Sequence, residues 1–349
     1  MQIVYSEAHR AHEPGERYSL GRIVPSPEVA QRADVLHAAA LAAGHAFVAP
    51  AAYGEAPRAA VHAADYLRFL ETSYDRWQAL PNAGAKVLPK VFPVRRPGGA
   101  PGVPPRSLDG QAGWYMADLS APVVAGTWRA ACAAADSAVH AATLVRDGAP
   151  AAYALCRPPG HHAFHDMAGG FCYLNNSAIA AQHLRGAFDR VAIVDVDVHH
   201  GNGTQDIFYE RDDVLTVSLH GDPYDFYPFH WGHAAERGVG AGEGCNLNVS
   251  LPLDSDDSTY LAALDSALEA VREFSPDALV IALGLDAYAH DPHRGLAVTT
   301  DGFGEIAGRL ARLKLPTVLV QEGGYLPDDP DALGRNLVAF LAGFEGAHG

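Results

Sequence analysis

The sequence VAIVDVDVHHGNGTQ, residues 191–205, is the most informative stretch of the chain. It begins with an apolar run of mostly β-branched residues and ends in acids and histidines followed by glycines. This pattern is typical of a buried strand that opens into a site at its C-terminal end. Because side chains alternate along a strand, we expect Asp195, Asp197 and His199 to point to one side. Two carboxylates and an imidazole predict a metal site, and solvated loop residues are the alternative.

Apolar runs and helical patterns alternate through the second half of the chain. The predicted strands cover residues 152–156, 191–198, 214–219, 278–285 and 317–320, and the predicted helices cover 175–185, 259–274, 303–313 and 332–344. Such alternation predicts an α/β fold, with a central, mostly parallel sheet and helices on both faces. In such sheets the site lies beyond the C-terminal ends of the strands.

The N-terminal half contains shorter elements and one long irregular segment. We expect strands at 2–6 and 45–49, a helix that begins at Ser26-Pro27-Glu28, and helices over 62–77 and 123–146. Residues 81–113 are rich in Pro, Gly and Arg and are too long for an ordinary connection. They predict an ordered arm at the site entrance or at a subunit contact, with a flexible linker as the alternative. No domain boundary is evident, so we expect a single domain over residues 1–349.

Composition restricts the possible partners. The formal net charge of −16 argues against nucleic acid, whose phosphates attract basic surfaces. It is compatible with a small cationic substrate, or with charge that serves only solubility. The four cysteines form no C-x-x-C pair, and no apolar run is long enough to span a bilayer. We therefore expect reduced thiols in a cytoplasmic protein that does not bind membranes.

Polar side chains follow the predicted strands at their ends. Asp197, His199 and Asp286 would supply two carboxylates and one imidazole and leave one position for water. That set is typical of catalytic rather than structural zinc, which polarises a carbonyl and acidifies water.

Further polar residues at these strand ends suggest acid–base chemistry. We expect His161 and His162 to act as acid and base groups, with acceptors such as Asp195 and Asn202 setting their pKa values. Tyr325, after two glycines, could donate its hydroxyl to a developing oxyanion.

Six motifs resemble those of the histone deacetylase and acetylpolyamine amidohydrolase family, in the family's order. They are RPPGHH at 157–162, GGFCYLNN at 169–176, DVDVHHGNGT at 195–204, VSLHG at 217–221, GLDA at 284–287 and EGGY at 322–325. The resemblance implies an arginase/deacetylase-like fold over most of residues 1–345. It also implies a catalytic Zn²⁺, with Fe²⁺ as the alternative metal, and hydrolysis of an N-acetyl amide to an amine and acetate.

The resemblance implies a role for each matching residue. Asp197, His199 and Asp286 match the metal ligands of the family. His162 matches the general base and acid, and His161 matches its electrostatic partner. Tyr325 matches the tyrosine that polarises the acetyl carbonyl. Asp195 matches the acid beside His161, and Asn202 takes the place beside His162. A structural K⁺ site is implied by the backbone oxygens of Asp195, His199 and Leu219 and the side chains of Asp197 and Ser218.

The resemblance also implies how the substrate binds. Phe171, which follows Gly170, and Tyr227 match the aromatic pair that walls the acyl-lysine tunnel, although Tyr227 replaces the usual Phe. Residues 81–113 and DGQAGWY at 109–115 resemble the acetylpolyamine branch, where this segment forms a dimer and narrows the entrance. Asp109 matches an acid that faces the polyamine in that branch. The branch has a second acid at the position where this chain has Ser120, and Asp118 lies two residues before it. A small cationic acetylated amine and a homodimer are therefore the implied partners.

Three other functions fit parts of the pattern. The same chemistry on acetylated protein lysines would need a wide, unobstructed rim. A sensor of acetylated amines without turnover should have lost a ligand or Tyr325, and all of them are present. An arginase-type ureohydrolase needs two metals about 3.5–4 Å apart and additional carboxylates, which one D-x-D-x-H motif suits less well.

Overall fold

A parallel sheet forms the centre of the computed structural model, which describes residues 1–93 and 102–349. The strands are β1 Gln2–Val4, β2 Glu16–Ser19, β3 Arg22–Pro25, β4 Ala46–Val48, β5 Ala151–Ala154, β6 Val191–Asp195, β7 Val214–Gly221, β8 Asn246–Leu251, β9 Ala278–Leu283 and β10 Thr317–Gln321. Eight of them form the central sheet in the order β4-β1-β5-β10-β9-β6-β7-β8, with parallel neighbours, and β2 and β3 form a separate antiparallel hairpin. The predicted α/β class is confirmed.

Helices cover both faces of the sheet. They are α1 Ala30–Ala42, α2 Ala56–Ala59, α3 Ala64–Gln78, α4 Leu108–Tyr115, α5 Thr127–Arg146, α6 Asn176–Leu184, α7 Asn202–Phe208, α8 Asp257–Phe274, α9 Thr300–Ala311 and α10 Asp331–His348. Val194 packs in one core with α1, α8, α9 and α10, whereas its neighbour Ile193 packs in a second core with α3, α5 and α6. Both faces of β6 are therefore dry, which explains its continuous apolar run.

Two predictions about local structure are wrong. The first helix begins at Ala30, with Val29 as its N-cap, and not at Ser26. Glu28 is instead fully buried, where it accepts hydrogen bonds from Arg32 at 2.9 Å and Arg157 at 2.8 Å. Strand β6 also ends at Asp195, so Asp197 and His199 do not continue its alternation and lie in the loop that follows.

Parts of the segment 81–113, which is predicted to be an ordered arm, adopt regular structure. Val87 pairs with Val123 in an isolated bridge, and helix α4 occupies the end of the segment. Lys86 Nζ donates to the Glu16 carbonyl at 2.8 Å and so ties the segment to the β2–β3 hairpin. Residues 94–101 lie outside the described residues. Among the helices of the described chain, none has the length and apolarity that crossing a bilayer requires.

Candidate active site

Three buried side chains converge beyond the C-terminal ends of β6 and β9. Ligand-type atoms of Asp197, His199 and Asp286 all lie within 4.8 Å of one another. His199 Nδ1 is 3.1 Å from Asp197 Oδ1 and 3.3 Å from Asp286 Oδ2. Two carboxylates and one imidazole aimed at one point form a suitable donor set for Zn²⁺.

The other carboxylate oxygens of this cluster are already bonded to the backbone. Asp286 Oδ1 accepts from Val198 N at 3.1 Å, and Asp197 Oδ2 accepts from Gly323 N at 2.7 Å. Asp286 Oδ2 is buried and accepts no hydrogen bond from any described residue. Because a buried acceptor without a donor is costly, this oxygen fits a cation. The three residues therefore fit the metal that the sequence predicts.

Gly323 allows the last loop to approach this cluster. A Cβ atom at Gly323 would overlap the carboxylates of both Asp197 and Asp286. A glycine is therefore needed where the loop after β10 lies against the two acids, and its amide helps to orient Asp197.

The tandem histidines have different hydrogen-bond partners. His161 Nδ1 lies 2.8 Å from Asp195 Oδ2, and His162 Nδ1 lies 2.7 Å from Asn202 Oδ1. Both acceptors are oxygens, so each ring donates from Nδ1 and leaves Nε2 as an acceptor when neutral. The two rings are 4.1 Å apart between centroids.

These partners shift the pKa values of the two histidines in opposite directions. Burial disfavours the charged form of His161, but Asp197 and Asp195 outweigh burial and raise its pKa well above the ordinary value. For His162, burial and the neighbouring rings of His161 and His199 lower the pKa well below the ordinary value. An amide beside His162 supplies no full negative charge to oppose that shift. The surroundings of the pair therefore favour the charged form of His161 and the neutral form of His162.

A second group of residues holds in place the loops that carry His161 and Tyr325. Glu322 accepts from the amides of Gly160 at 2.6 Å and His161 at 3.0 Å, and from the Ser177 hydroxyl at 2.6 Å. Burial raises the pKa of Glu322 to about 7. Asp291 accepts from the amide of Tyr325 at 2.8 Å. Sequence reasoning assigned no role to either acid, because a support residue of this kind is defined by what it contacts.

The ring of Tyr325 is packed between cationic and aromatic groups. The guanidinium carbon of Arg32 lies 4.5 Å from its centroid, while the rings of His293 and Phe171 lie 4.4 and 5.8 Å away. Arg32 also donates to the carbonyls of Glu322, at 2.8 Å, and Gly324. Since Arg32 pairs with Glu28, the buried ion pair described above fixes the loop that carries Tyr325.

A narrow cavity of about 100 Å³ opens above these residues. Its buried lining residues are His162, Gly170, Phe171, His199 and Tyr325, and its half-buried ones are Arg17, Ser120, Tyr227 and His293. Because the half-buried residues are nearest to solvent, they form the mouth of the cavity. Sequence reasoning missed His293 and Arg17, which come from a loop and from an unpredicted hairpin.

The residues predicted to bind substrate are not all at this cavity. Phe171 and Tyr227 both line it. The Tyr227 hydroxyl donates to Asp118 Oδ2 at 2.7 Å, and the amide of Gly170 donates to the same oxygen at 3.0 Å. Asp118 therefore supports the cavity wall. Asp109, half-buried on α4, is not among the residues that line the described cavity.

The residues expected at a potassium site lie on β6 and β7 and in the loop that follows β6. Asp195 pairs with Ser218 in the sheet register, and Leu219 follows directly. Asp195, Asp197, His199, Ser218 and Leu219 are all buried.

Comparison with known proteins was made on sequence and on structure. Residues 26–342 match the histone deacetylase domain. The chain is 50% identical over 339 residues to the acetylpolyamine amidohydrolase of Burkholderia pseudomallei (strain 1710b), which covers 97% of each chain. It is 45% identical over 349 residues to acetylpolyamine amidohydrolase 1 of Pseudomonas aeruginosa, which covers 99% of each. A crystal structure of the acetylpolyamine aminohydrolase from Burkholderia pseudomallei superposes with a TM-score of 0.94, 49% identity and 100% coverage of both chains.

Proposed function

Because this chain belongs to the histone deacetylase domain family, we propose that it is a zinc-dependent amidohydrolase that removes acetyl groups from acetylated polyamines. The observation that carries the proposal is the cluster of Asp197, His199 and Asp286, which lies directly beside His162 and Tyr325 at a narrow cavity. The names of the two relatives, acetylpolyamine amidohydrolases that match nearly the whole chain, support the substrate class.

Zn²⁺ bound by Asp197, His199 and Asp286 would polarise the amide carbonyl and lower the pKa of a water molecule. His162 is proposed as the general base, because its Nδ1 is occupied by Asn202 and its Nε2 remains to accept a proton. The same nitrogen then returns the proton to the leaving amine. The amide C–N bond breaks, and acetate and the free amine are the products.

Two further residues are proposed to stabilise charge during this step. His161, bonded to Asp195, carries the positive charge that the neighbouring acids favour. Tyr325 donates its hydroxyl to the carbonyl oxygen as negative charge develops there. Burial raises the pKa of Tyr325 well above its ordinary value, which keeps the phenol protonated as a donor.

Turnover of matched substrates tests the proposal. The purified enzyme, with its metal content measured on the same sample, should have a higher kcat/KM for N-acetylputrescine, N-acetylcadaverine and N-acetylspermidine than for acetyl-lysine peptides. Faster hydrolysis of the peptides would overturn the substrate assignment in favour of a protein deacetylase. A chain that binds metal and hydrolyses none of these would favour a sensor of acetylated amines.

Substitutions test the roles of the proposed residues. Tyr325→Phe should lower kcat by about 10²–10³-fold, and His162→Ala by about 10²–10⁴-fold, with metal content near that of the wild type. Tyr224→Phe and His165→Ala are matched controls, because both side chains are exposed and lie outside the cavity lining. A fully active His162→Ala enzyme would show that another group is the base.

We also propose a homodimer, with residues 81–113 and the β2–β3 hairpin at the contact. Leu20 at the hairpin tip is fully exposed, and Val91 and Val103 in the segment are 59% and 74% exposed. Apolar side chains in such positions are typical of an interface. Light scattering should give twice the mass of one chain for the wild type, and less for Leu20→Asp. A single-chain mass for the wild type would contradict the dimer.

A structural K⁺ bound by Asp195, Asp197, His199, Ser218 and Leu219, and a cytoplasmic location, complete the proposal. The buried carboxylate and hydroxyl oxygens on β6, on β7 and in the loop after β6 support the first. The four free thiols support the second. Thermal stability that does not change between Na⁺ and K⁺ buffers would argue against the potassium site.

A further inference from the structure

Arg17 brings a positive charge to the mouth of the cavity. It lies on β2 of the hairpin, where its neighbour Tyr18 faces solvent and is 48% exposed. Because side chains alternate along a strand, Arg17 faces the opposite way, towards the cavity that it lines. Its guanidinium carbon is 5.8 Å from the centroid of Phe171.

The hairpin that carries Arg17 is held in place. Arg17 pairs with Val24 on β3, and the Ser26 amide donates to the Gly15 carbonyl at 2.9 Å. Lys86 Nζ binds the adjacent Glu16 carbonyl. The backbone that carries Arg17 is therefore held by contacts on both strands of the hairpin.

Arg17 has a hydrogen-bond donor that no acceptor in the described chain satisfies. Its Nε is buried and has no hydrogen-bond acceptor among the described residues. Asp118, which supports the cavity wall, is already bonded to the Tyr227 hydroxyl and to the amides of Gly170 and Ser120. A buried donor without an acceptor is costly, and an acceptor on the substrate would satisfy it.

We infer that Arg17 gives the enzyme a second substrate class, N-acetyl amines whose far end carries a carboxylate, such as N-acetyl-ω-amino acids. A guanidinium matches a carboxylate with two parallel hydrogen bonds, which neither a terminal ammonium group nor a methyl group can accept. The acetyl end would lie beside His162 and Tyr325, the methylene chain between Phe171 and Tyr227, and the carboxylate on Arg17.

The reaction itself rests on the proposed function. Water adds to the acetyl carbon, the C–N bond breaks, and the leaving nitrogen takes a proton, so that acetate and a free ω-amino acid are the products. Acetylpolyamines share the acetyl end of these substrates and differ only at the far end, so both classes use the same site chemistry.

Three substrates of similar length isolate the effect of the far end. N-acetyl-6-aminohexanoate, N-acetylcadaverine and N-acetylpentylamine carry a carboxylate, an ammonium and a methyl group. For the wild type, kcat/KM for N-acetyl-6-aminohexanoate should exceed kcat/KM for N-acetylpentylamine by about tenfold or more. This ratio should fall about tenfold in Arg17→Gln and be partly retained in Arg17→Lys. Arg17→Glu should instead favour N-acetylcadaverine.

Arg22→Gln is the matched control, because Arg22 lies on the same hairpin but is exposed and does not line the cavity. It should leave the ratio at the wild-type value. A wild-type ratio near one, or an equal loss on all three substrates in Arg17→Gln, would overturn the inference.

Failure of the proposed function gives a different result. If metal-loaded wild type hydrolyses none of the three substrates, the proposed function fails. Calorimetric binding of N-acetyl-6-aminohexanoate to the wild type and to Arg17→Gln then tests Arg17 alone. Equal affinities would refute its role.

Discussion

Replacing Asp286 by Asn should stabilise the metal-free protein and destabilise the metal-loaded one. Asp286 is fully buried, and its Oδ2 accepts no hydrogen bond from a described residue. Burial, followed by the nearby charge of Asp197, raises the pKa of Asp286, so its charged form is disfavoured in the folded chain. When no metal is bound, this carboxylate therefore destabilises the folded chain.

The size of each effect follows from these contacts. A buried, unsatisfied acceptor costs about 1–3 kcal/mol, and Asn removes the charge while adding an amide that can donate to Asp197. We therefore expect metal-free Asp286→Asn to be more stable than metal-free wild type by about 1–2 kcal/mol. A metal held at a thousand times its Kd stabilises the wild type by about 4 kcal/mol. The variant, which lacks one of three ligands, should lose most of that gain.

Urea unfolding with and without metal measures both predicted changes in the free energy of unfolding. The wild type and the variant are stripped with a chelator, checked for metal content, and unfolded before and after Zn²⁺ is added. Asp212→Asn is the control, because that side chain is exposed, and it should change the free energy of unfolding by less than about 0.5 kcal/mol in either state. Metal-free Asp286→Asn that is less stable than metal-free wild type would refute the reasoning, because the carboxylate would then stabilise the fold unaided.

Three other perturbations have calculable outcomes. Glu28→Gln leaves buried Arg32 without its ion-pair partner and leaves buried Arg157 only the exposed Glu13, at 3.4 Å, so the urea-unfolding free energy should fall by about 3–5 kcal/mol. Glu7→Gln, in an exposed pair, should cost less than about 1 kcal/mol. Burial lowers the pKa of His62 to about 4, so stability is lost as the pH falls from about 6.5 towards 4. Between pH 7.5 and pH 5 the wild type should therefore lose about 2 kcal/mol more than His62→Gln, and equal losses would contradict this. Gly323→Ala should lower the metal content measured by mass spectrometry, while Gly346→Ala, with open space around its Cβ, should not.

The central sheet could be predicted because its strands are buried on both faces. Strand β9 was expected over 278–285 and spans Ala278–Leu283, an uninterrupted apolar run. Strand β8 was missed, although NLNVSL alternates between polar and apolar residues as a half-buried strand does. The β2–β3 hairpin was not predicted, for a different reason. Its turn places both Leu20 and Gly21 at positive φ, and leucine is not a residue that marks such a turn.

The grouping of the candidate site residues could be predicted because parallel strands place their C-terminal ends on one edge. Residues 161–162, 197–199, 286 and 325 meet there although they are far apart in sequence. The mouth of the cavity could not be predicted in this way. Arg17 comes from a hairpin outside the central sheet, and His293 from a loop whose path depends on Asp291, which accepts its amide at 2.9 Å.

Hydrogen bonding distinguishes Asp286 from the two other carboxylates that lie near it. Both oxygens of Asp195 accept bonds, from the amide of Asp197 at 3.0 Å and from His161 at 2.8 Å. Both oxygens of Asp197 also accept amide bonds, from His199 at 2.9 Å and Gly323 at 2.7 Å, which orient it towards Asp286. Asp286 has one oxygen without a donor among the described residues. Asp195 is thus suited to hold a histidine in place, whereas Asp286 is suited to a cation. The sequence D-V-D-V-H alone cannot separate these roles. The backbone amides that bind the carboxylates come partly from this stretch and partly from a loop after another strand, such as that of Gly323.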